Sequence, residues 1–445
     1  MKYLLLIAAL FAIQVQANQE PSINASFIKL QDDVQEYVHQ SSGNWVKYSG
    51  TFGFGYPYKT GTQAIEYNGV VYYTYSKCIT TNNTNYMIVF VADSLGNKTV
   101  IRRIYSNQCD PHENASLHID KNGYITAAQS SRGKWRKGYV FKSVRPADVS
   151  EFNQVDSGYY SYTKLHDNGL VYTDYNGTLY NSKYKAAQAQ LEAQAESSLK
   201  ENVGDRFLPS RFKLGNYSDN LTTKMSDSGE MLTSNGLTLR ETWIKTDQGK
   251  QKLVTGGSYA ITTEVNGQIH LFYNYHFAGN LDARVNRYYM WSPDGIAWFN
   301  RHGEALELPV DENSQETAIS FDYHKFNYLK DLKFIDGEIQ ALVVQSDSND
   351  PMEGSRQLVK ITMDGKSEVI TNMGHNYDGA QFWNDTIIAV KNNKHSYAGG
   401  ALFQYSLRGE YIGTYRNDGG ANYPVAVKNS NKLMFADSGG LFISE

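Results

Sequence analysis

The sequence has few of the residues that cross-link a chain or break its regular structure. It contains only two cysteines, Cys78 and Cys109, and nine prolines in 445 residues. Two cysteines exclude a disulfide-rich scaffold but leave three alternatives open. They form one disulfide, they remain free thiols, or Cys109 joins His112 and His118 in a metal site, a ligand set that is incomplete beside the usual zinc patterns.

Apolar runs are also scarce, since no stretch approaches the ~20 apolar residues that cross a bilayer. The longest run lies at the N-terminus, where Lys2 precedes the apolar segment Leu4–Ile13 and the small-residue site Val15-Gln16-Ala17. This order is typical of a secretory signal peptide covering residues 1–17. We therefore expect a secreted or periplasmic protein without a membrane partner.

The charge balance gives no strong field of either sign, because the net charge is only −4. This value argues against a nucleic-acid partner, so an anionic ligand would need a local basic patch. One such patch, Arg132–Lys137, follows His112 along the chain. A histidine beside cations suits proton removal from an anionic substrate, although a solvated surface loop would show the same pattern.

Tyrosine and glycine are abundant, with 34 and 37 copies, and polar turns separate many short strand-like segments. This composition indicates an all-β chain. A turn of the Asn-Gly type, followed at once by a strand, recurs along the sequence. The copies begin at Asn68, Asn122, Asn168, Asn266 and Asp336, with weaker copies at Asn384 and Asn431. Seven copies at this spacing predict a seven-bladed β-propeller.

Two segments depart from the repeat. Residues 184–240 read as a partly helical insertion, because 184–200 are rich in Ala, Gln, Glu and Leu; an eighth blade hidden there is the alternative. Residues 18–45 form an N-terminal lead-in. We therefore predict one propeller domain over residues 46–445, since a single blade is too small to bury both of its faces.

Propeller ligands usually bind at the mouth of the central channel, where strand ends from several blades converge. Polar and aromatic residues recur at predicted strand ends, and as a set they favour a binding site. A structural role explains any one of them alone, because tyrosines also fill the interfaces between blades. The candidates are His112, Asn114, Arg132, Tyr162, Tyr175, Tyr259, His276, Arg284, His375 and Tyr377.

Six collinear segments resemble the secreted BNR-type seven-bladed propellers that include the β-propeller ulvan lyases. They are PHENASLHIDKNGYI, SSRGKWRKGYVFKS, GGSYAITTEVNG, NYHFAGNLDARVNRYYMWSPDGIAWFN, YLKDLKFIDGEIQ and GHNYDGAQFW. The resemblance spans residues 60–445 apart from the insertion. It implies a polysaccharide lyase that cleaves ulvan, a sulfated polymer of rhamnose and uronic acids, by β-elimination.

The resemblance also implies roles for individual residues. His112 matches the first catalytic histidine of the family. Tyr175 matches the catalytic tyrosine, with Tyr162 as a rival. Tyr259 matches a later active-site tyrosine.

The family's second histidine has no counterpart, because Ser131 and Arg132 stand in its place. Arg132, Arg211 and Arg284 are the options for the arginine that neutralises the uronate carboxylate. We expect Asn114, Tyr162, Arg211, His276, Arg284, His375 and Tyr377 to bind the substrate.

The implied reaction removes a proton that lies α to an ionised carboxylate, so a cation must offset that charge in the transition state. It requires no metal or organic cofactor, and we expect a monomer acting on an anionic polysaccharide. A sialidase-like glycoside hydrolase is one alternative, although no carboxylate pair stands out in the sequence. A non-catalytic glycan-binding propeller is the other.

Overall fold

The structure is a computed structural model. It describes residues 27–31, 37–41, 44–48, 57–81, 84–106, 111–133, 136–175, 224–225, 231–232, 240–255, 257–276, 284–311, 314–322, 325–347, 356–374, 379–391, 400–415, 421–437 and 440–445. No helix within these ranges is long and apolar enough to cross a membrane.

The described chain is almost entirely β-structure, and it forms seven four-stranded antiparallel sheets. These sheets are the blades of a propeller, which confirms the predicted fold class. Before the first blade lie β1 (Phe27–Gln31), β2 (Tyr37–Ser41), β3 (Asn44–Tyr48) and the short helix α1 (Pro57–Thr60).

The first three blades occupy the chain up to Val254. Blade 1 contains β4 (Ala64–Tyr67), β5 (Val70–Thr81), β6 (Thr84–Asp93) and β7 (Lys98–Ser106). After a 3₁₀ turn at Pro111–Glu113, blade 2 contains β8 (Ala115–Ile119), β9 (Ile125–Gln129), β10 (Gly138–Ser143) and β11 (Phe152–Gly158). Blade 3 contains β12 (Ser161–His166), β13 (Gly169–Asp174), β16 (Glu241–Thr246) and β17 (Gly249–Val254), with the pair β14 (Lys224–Met225) and β15 (Met231–Leu232) between β13 and β16.

The remaining four blades complete the ring. Blade 4 contains β18 (Gly257–Val265), β19 (Gln268–His276), β20 (Arg284–Ser292) and, after a 3₁₀ turn at Gln315–Thr317, β21 (Ala318–Ser320). Blade 5 contains β22 (Phe326–Ile335), β23 (Glu338–Ser346), β24 (Arg356–Thr362) and β25 (Ser367–Gly374). Blade 6 contains β26 (Ala380–Trp383), β27 (Thr386–Lys391), β28 (Ala401–Ser406) and β29 (Tyr411–Tyr415). Blade 7 contains β30 (Asn422–Ala426), β31 (Leu433–Asp437), β32 (Gly440–Ser444) and β1.

The N-terminal strand closes the ring. β1 pairs antiparallel with β32, so the outermost strand of blade 7 comes from the opposite end of the chain. Part of the predicted lead-in therefore belongs to the propeller itself. The two strands approach closely at Gly440, where an added Cβ would lie 2.1 Å from the carbonyl oxygen of Gln31.

The seven predicted turns all join the first and second strands of a blade. At Asn266-Gly267, for example, φ is 51° and 77°, which is the combination that a tight hairpin turn needs. These turns lie together at one end of the ring, which we call the turn face. The opposite end, where the first strand of each blade begins and the second ends, is the loop face.

Tyrosines fill much of the space between adjacent blades. Between blades 7 and 1, for example, Tyr73 and Tyr75 pack with Val425 and Met434, and all four are buried. Apolar contacts of this kind supply the main stabilisation of the ring, at about 25 cal/mol per Å² of buried surface. They pack each blade against its neighbours around the ring.

The helix α1 occupies the central channel. It contacts the first strands of blades 3, 4, 5 and 7, which are β12, β18, β22 and β30. Thr60 and Gln63 are fully buried there, and the chain then continues into β4. The helix α1 and the residues that lead into β4 therefore lie near the axis of the ring.

The insertion enters blade 3 between its second and third strands. β13 and β16 pair from Leu170 opposite Lys245 to Asp174 opposite Glu241 although residues 175–240 separate them in sequence. The insertion thus interrupts blade 3, and the four-stranded sheets among the described residues number seven. The predicted helix at 184–200 lies outside the described residues, as does Cys109.

Candidate functional site

Three first strands carry a β-bulge where they begin on the loop face. The pairing register shifts between Ser161 and Lys164, and equivalent shifts occur at the start of β18 and β30. Each bulge contains a buried tyrosine, namely Tyr162, Tyr259 and Tyr423. Tyr162 and Tyr423 have positive φ values of 52° and 47°. Because a bulge re-aims side chains and positive φ is strained for tyrosine, such positions often mark functional sites.

Two tyrosine hydroxyls lie close together in blade 3. The hydroxyl of Tyr175, directly after β13, lies 3.4 Å from that of Tyr162. This separation exceeds that of an ordinary O–H···O hydrogen bond, as often occurs between catalytic groups without substrate. Arg240, directly before β16, donates from its Nε to the Tyr175 hydroxyl at 3.2 Å. A guanidinium at this position stabilises negative charge on the phenol oxygen.

Three cations surround the ring of Tyr259. The Arg240 Cζ lies 4.4 Å from the ring centre, the Arg284 Cζ 4.7 Å and the Lys59 Nζ 4.3 Å. Because each of these three atoms lies within 4.7 Å of the same ring centre, no two of them are more than twice that distance apart. Arg284 also lies 4.5 Å from the ring of Tyr328, at the start of blade 5. An anionic group bound among these cations would interact favourably with all three.

His112 lies at the edge of the same cluster. Its ring meets that of Tyr162 edge-on at 5.7 Å, whereas the ring of Tyr259 meets Tyr162 at 5.3 Å. Tyr162 thus lies between His112 and Tyr175, two of the candidates that the sequence analysis assigns to one binding site. His112 and Arg284 are partly exposed, while Tyr162, Tyr175 and Arg240 are buried. The two partly exposed residues form the solvent-facing rim.

An ion pair between the partly exposed Arg136 and the buried Glu113 supports the segment that carries His112. The Arg136 Nε donates to Glu113 Oε1 at 2.8 Å, and its Nη2 contacts Oε2 at 2.5 Å. The Gln129 side chain donates to the Glu113 carbonyl at 3.2 Å. One cation of the predicted basic loop therefore holds the catalytic candidate in place.

Buried amides support the bulge of Tyr259. The Asn274 Oδ1 accepts from the Tyr259 backbone N–H at 3.4 Å, and the Asn274 Nδ2 donates to the Asn327 carbonyl at 2.6 Å. The Asn327 Oδ1 in turn accepts from Arg287 at 3.2 Å. These contacts join blades 4 and 5 beneath the site.

The bulge of Tyr162 rests on a buried lysine. The Lys164 Nζ donates to the Tyr162 carbonyl at 2.7 Å. Burial lowers the pKa of Lys164 to about 7. Gly61, just after α1, packs against the same lysine, since an added Cβ would lie 3.0 Å from its Cα.

The other predicted residues lie in several places. Arg132 and Asn114 are buried at the loop-face end of blade 2, where Arg132 pairs through its backbone with Arg136. Next to it, Ser131 bonds Ser161 side chain to side chain at 2.8 Å. His276 ends β19 on the loop face, but its side chain is outside the described part of the chain. Arg211, His375 and Tyr377 also lie outside the described residues.

The sequence analysis missed Lys59, Arg240 and Tyr328. A positional signal for the arginine was present: an arginine begins or directly precedes the third strand in blades 3, 4 and 5. These are Arg240, Arg284 and Arg356. No comparable signal marks Lys59, because it precedes the first blade and reaches the site through the channel.

The alternative metal site finds no support in the position of its histidines. His112 precedes β8 on the loop face, whereas His118 near its end contacts Asp167 of the blade 3 turn at 3.0 Å. The extended chain from Ala115 to His118 alone spans about 10 Å. Over the ranges that the structure describes, no three His, Cys, Asp or Glu residues gather as a metal site would need.

The turn-face half of the channel has a different character. It contains a cavity of about 270 Å³ whose lining includes His166, Glu264, Asp331 and Lys428. His166 contacts Thr262 at 2.9 Å, and Lys428 lies 3.6 Å from Glu264. Burial raises the pKa of Asp331 to about 6 even though two backbone N–H groups donate to it. Acids and bases are mixed at this end, whereas tyrosines and cations gather at the other.

The fold and this cluster define a seven-bladed β-propeller with an aromatic, cation-rich site at one mouth of its channel. No protein-family model matches the sequence, and no curated protein matches it. A solved structure described as a polysaccharide lyase of family PL25, an ulvan lyase, is similar over 93% of this chain and 97% of its own, with a TM-score of 0.52 and 12% identity.

Weaker structural matches include an acylaminoacyl peptidase, with a TM-score of 0.46, 10% identity and coverage of 86% of this chain and 51% of that one. Another is an α-L-arabinanase of Penicillium chrysogenum, with a TM-score of 0.37, 9% identity and coverage of 89% and 97%. At 12% identity, the similarity to the ulvan lyase structure shows the propeller fold alone.

Proposed function

We propose that this chain is a secreted or periplasmic polysaccharide lyase that cleaves a sulfated, uronate-containing polymer, with ulvan as the first candidate. The observation that carries the proposal is the contact of Arg240 with the Tyr175 hydroxyl at 3.2 Å, beside a tyrosine ringed by three cations. Resemblance of the sequence motifs to ulvan lyases, and fold similarity to one such enzyme, support the same reading.

The cations have the first role in the proposed reaction. Arg240 and Arg284 bind the uronate carboxylate and offset its charge, so that the enolate-like transition state is stabilised when the C5 proton leaves. A group that binds the developing charge more tightly than the ground-state carboxylate raises kcat. Preorganised donors of this type contribute about 10²–10³ in rate.

The tyrosines and His112 have the second role. In the simplest scheme Tyr175, as a phenolate beside Arg240, takes the C5 proton. The electron pair of the C5–H bond forms the C4–C5 double bond, the C4–O4 bond breaks, and O4 takes a proton from the same phenol. His112 is positioned at the rim to bind or protonate the substrate, and Tyr162 holds the Tyr175 hydroxyl.

The test is direct, because elimination creates an ultraviolet-absorbing C4–C5 double bond and hydrolysis does not. The purified protein would be incubated with ulvan, with other uronate polymers and with a neutral glycan as control. We expect absorbance to rise and chain length to fall on a uronate polymer. Shorter chains without absorbance would indicate a hydrolase, and binding without cleavage a glycan-binding propeller; either would contradict the proposal.

A further inference from the structure

The channel helix α1 brings a residue into the site that belongs to no blade. α1 contacts the first strands of four blades, and its Lys59 is only 8% exposed. The Lys59 Nζ lies 4.3 Å from the ring centre of Tyr259 and 6.0 Å from that of Tyr162. Lys59 therefore reaches the bulged tyrosines from the axis of the ring, whereas Arg240 and Arg284 reach them from the blades.

The ammonium group of Lys59 takes part in both attractive and repulsive interactions at this position. The ammonium is attracted to the face of the aromatic ring that it covers. Bringing an ammonium close to two guanidinium groups in a buried site opposes that attraction, since like charges repel more strongly where water is excluded. An oxyanion of a bound substrate would attract all three cations at once.

The number of cations also bears on what the site binds. Arg240 is tied to the Tyr175 hydroxyl, which places it next to the proposed proton transfer, and Arg284 spans Tyr259 and Tyr328. Lys59 contacts Tyr259 from the channel side. A compact ammonium with three donors suits a carboxylate or a sulfate without imposing the two-pronged geometry of arginine.

We propose that Lys59 is a substrate-binding residue, supplied by the channel helix, that holds an oxyanion of the polymer through its charge. The inference rests on the proposed function. It also makes the site depend on the segment that closes the ring, because α1 lies between β1 of blade 7 and β4 of blade 1. A substrate would then bind fully only to a propeller whose N-terminal segment has docked.

The test compares Lys59→Met, which removes the charge, with Lys59→Arg, which keeps it. We expect Lys59→Met to raise KM about tenfold, equivalent to ~1.4 kcal/mol, while kcat stays within about threefold. Affinity measured in a Tyr175→Phe background should weaken equally and respond less to salt. Lys59→Arg should restore most of the affinity. Lys121→Met, an exposed lysine in a turn-face loop, is the matched control and should behave as the wild type.

Two polymers identify the oxyanion. If Lys59 binds a sulfate, Lys59→Met should weaken binding of the sulfated polymer but not of its desulfated form; if it binds the carboxylate, both should weaken. An affinity within twofold of the wild type for folded Lys59→Met would overturn the inference, and so would Lys59→Arg failing as badly as Lys59→Met. If Lys59→Met does not fold, Lys59→Gln carries the same test.

The two proposals fail in different ways. A wild type that cleaves no uronate polymer contradicts the proposed function. A wild type that cleaves, combined with an unaffected Lys59→Met variant, contradicts only the role of Lys59.

Discussion

The two faces of the propeller are built by different means. On the turn face, short local signals such as Asn266-Gly267 adopt the positive φ values that the hairpin requires. On the loop face, strand bulges, an interrupted blade and a helix from outside the blades converge on Tyr259. The turn face holds charges in acid–base pairs such as Lys432 and Glu66, whereas the loop face gathers cations. The repeated turns and strands therefore stabilise the ring, and the candidate site forms where bulges and an insertion interrupt that repeat.

The largest expected effect is on the loop face. Tyr175→Phe removes one hydroxyl and leaves the ring, so the fold should persist. If that phenol transfers the proton, kcat should fall by about 10²–10⁴ with little change in substrate affinity. Steady-state rates by absorbance, with a thermal melt of both proteins, check this. Near-normal turnover by a folded variant would move the role to Tyr162 or Tyr259.

The next effect concerns ring closure. Gly440→Ala places a Cβ against the Gln31 carbonyl oxygen at a φ of 148°, and we expect it to lower the free energy of unfolding by about 3 kcal/mol. Gly267→Ala is the control, because its φ of 77° is also unfavourable but no atom lies within 4 Å of the added Cβ. The free energy of unfolding of that variant should fall by about 1 kcal/mol. Equal losses in urea unfolding would show that β1 does not dock as described.

A third effect tests the lysine beneath the Tyr162 bulge. Burial lowers the pKa of Lys164 to about 7, while in the unfolded chain it keeps a value near 10.4. The unfolded state then binds more protons between about pH 7 and 10, so burying this group costs most stability at and below pH 7, and that cost falls away as the pH rises to about 10.

Lys164→Met should flatten this rise in stability with pH, which urea unfolding at several pH values would detect. Lys121→Met, which changes an exposed lysine, should leave the slope of the wild type unchanged. A slope that Lys164→Met does not alter would mean that Lys164 remains protonated in the folded protein.

The smallest effect is expected on the turn face. The hydrogen bond from Ser430, with further help from Lys432, lowers the pKa of Glu66, and the Lys432 Nζ lies 2.9 Å from the carboxylate. Because the pair is partly exposed, Glu66→Gln should lower the free energy of unfolding by less than ~1 kcal/mol without changing turnover. A larger loss would mean that this contact between blades 1 and 7 contributes more to closure than its exposure suggests.

The same contrast explains how much the sequence alone could reveal. The turns were predictable because positive φ is a local demand that Asn and Gly meet, and their number predicted the blades. The sequence analysis gave Tyr162 as the alternative to Tyr175 for the catalytic tyrosine, but only the fold shows that their hydroxyls lie 3.4 Å apart. Arg240 lies 65 residues beyond Tyr175, and Lys59 arrives through the channel, so no local pattern joins either of them to the site.

The central claim is that Arg240 and Tyr175 act as one unit in proton transfer. A double-mutant cycle of Tyr175→Phe and Arg240→Lys, followed by the absorbance of the new double bond, tests it most directly. Because Arg240 also binds the carboxylate in the proposed scheme, the double variant should be slower than Tyr175→Phe alone, but by a smaller factor than Arg240→Lys costs when Tyr175 is present. If the two rate losses multiply in a folded protein, the residues act independently and the account is contradicted.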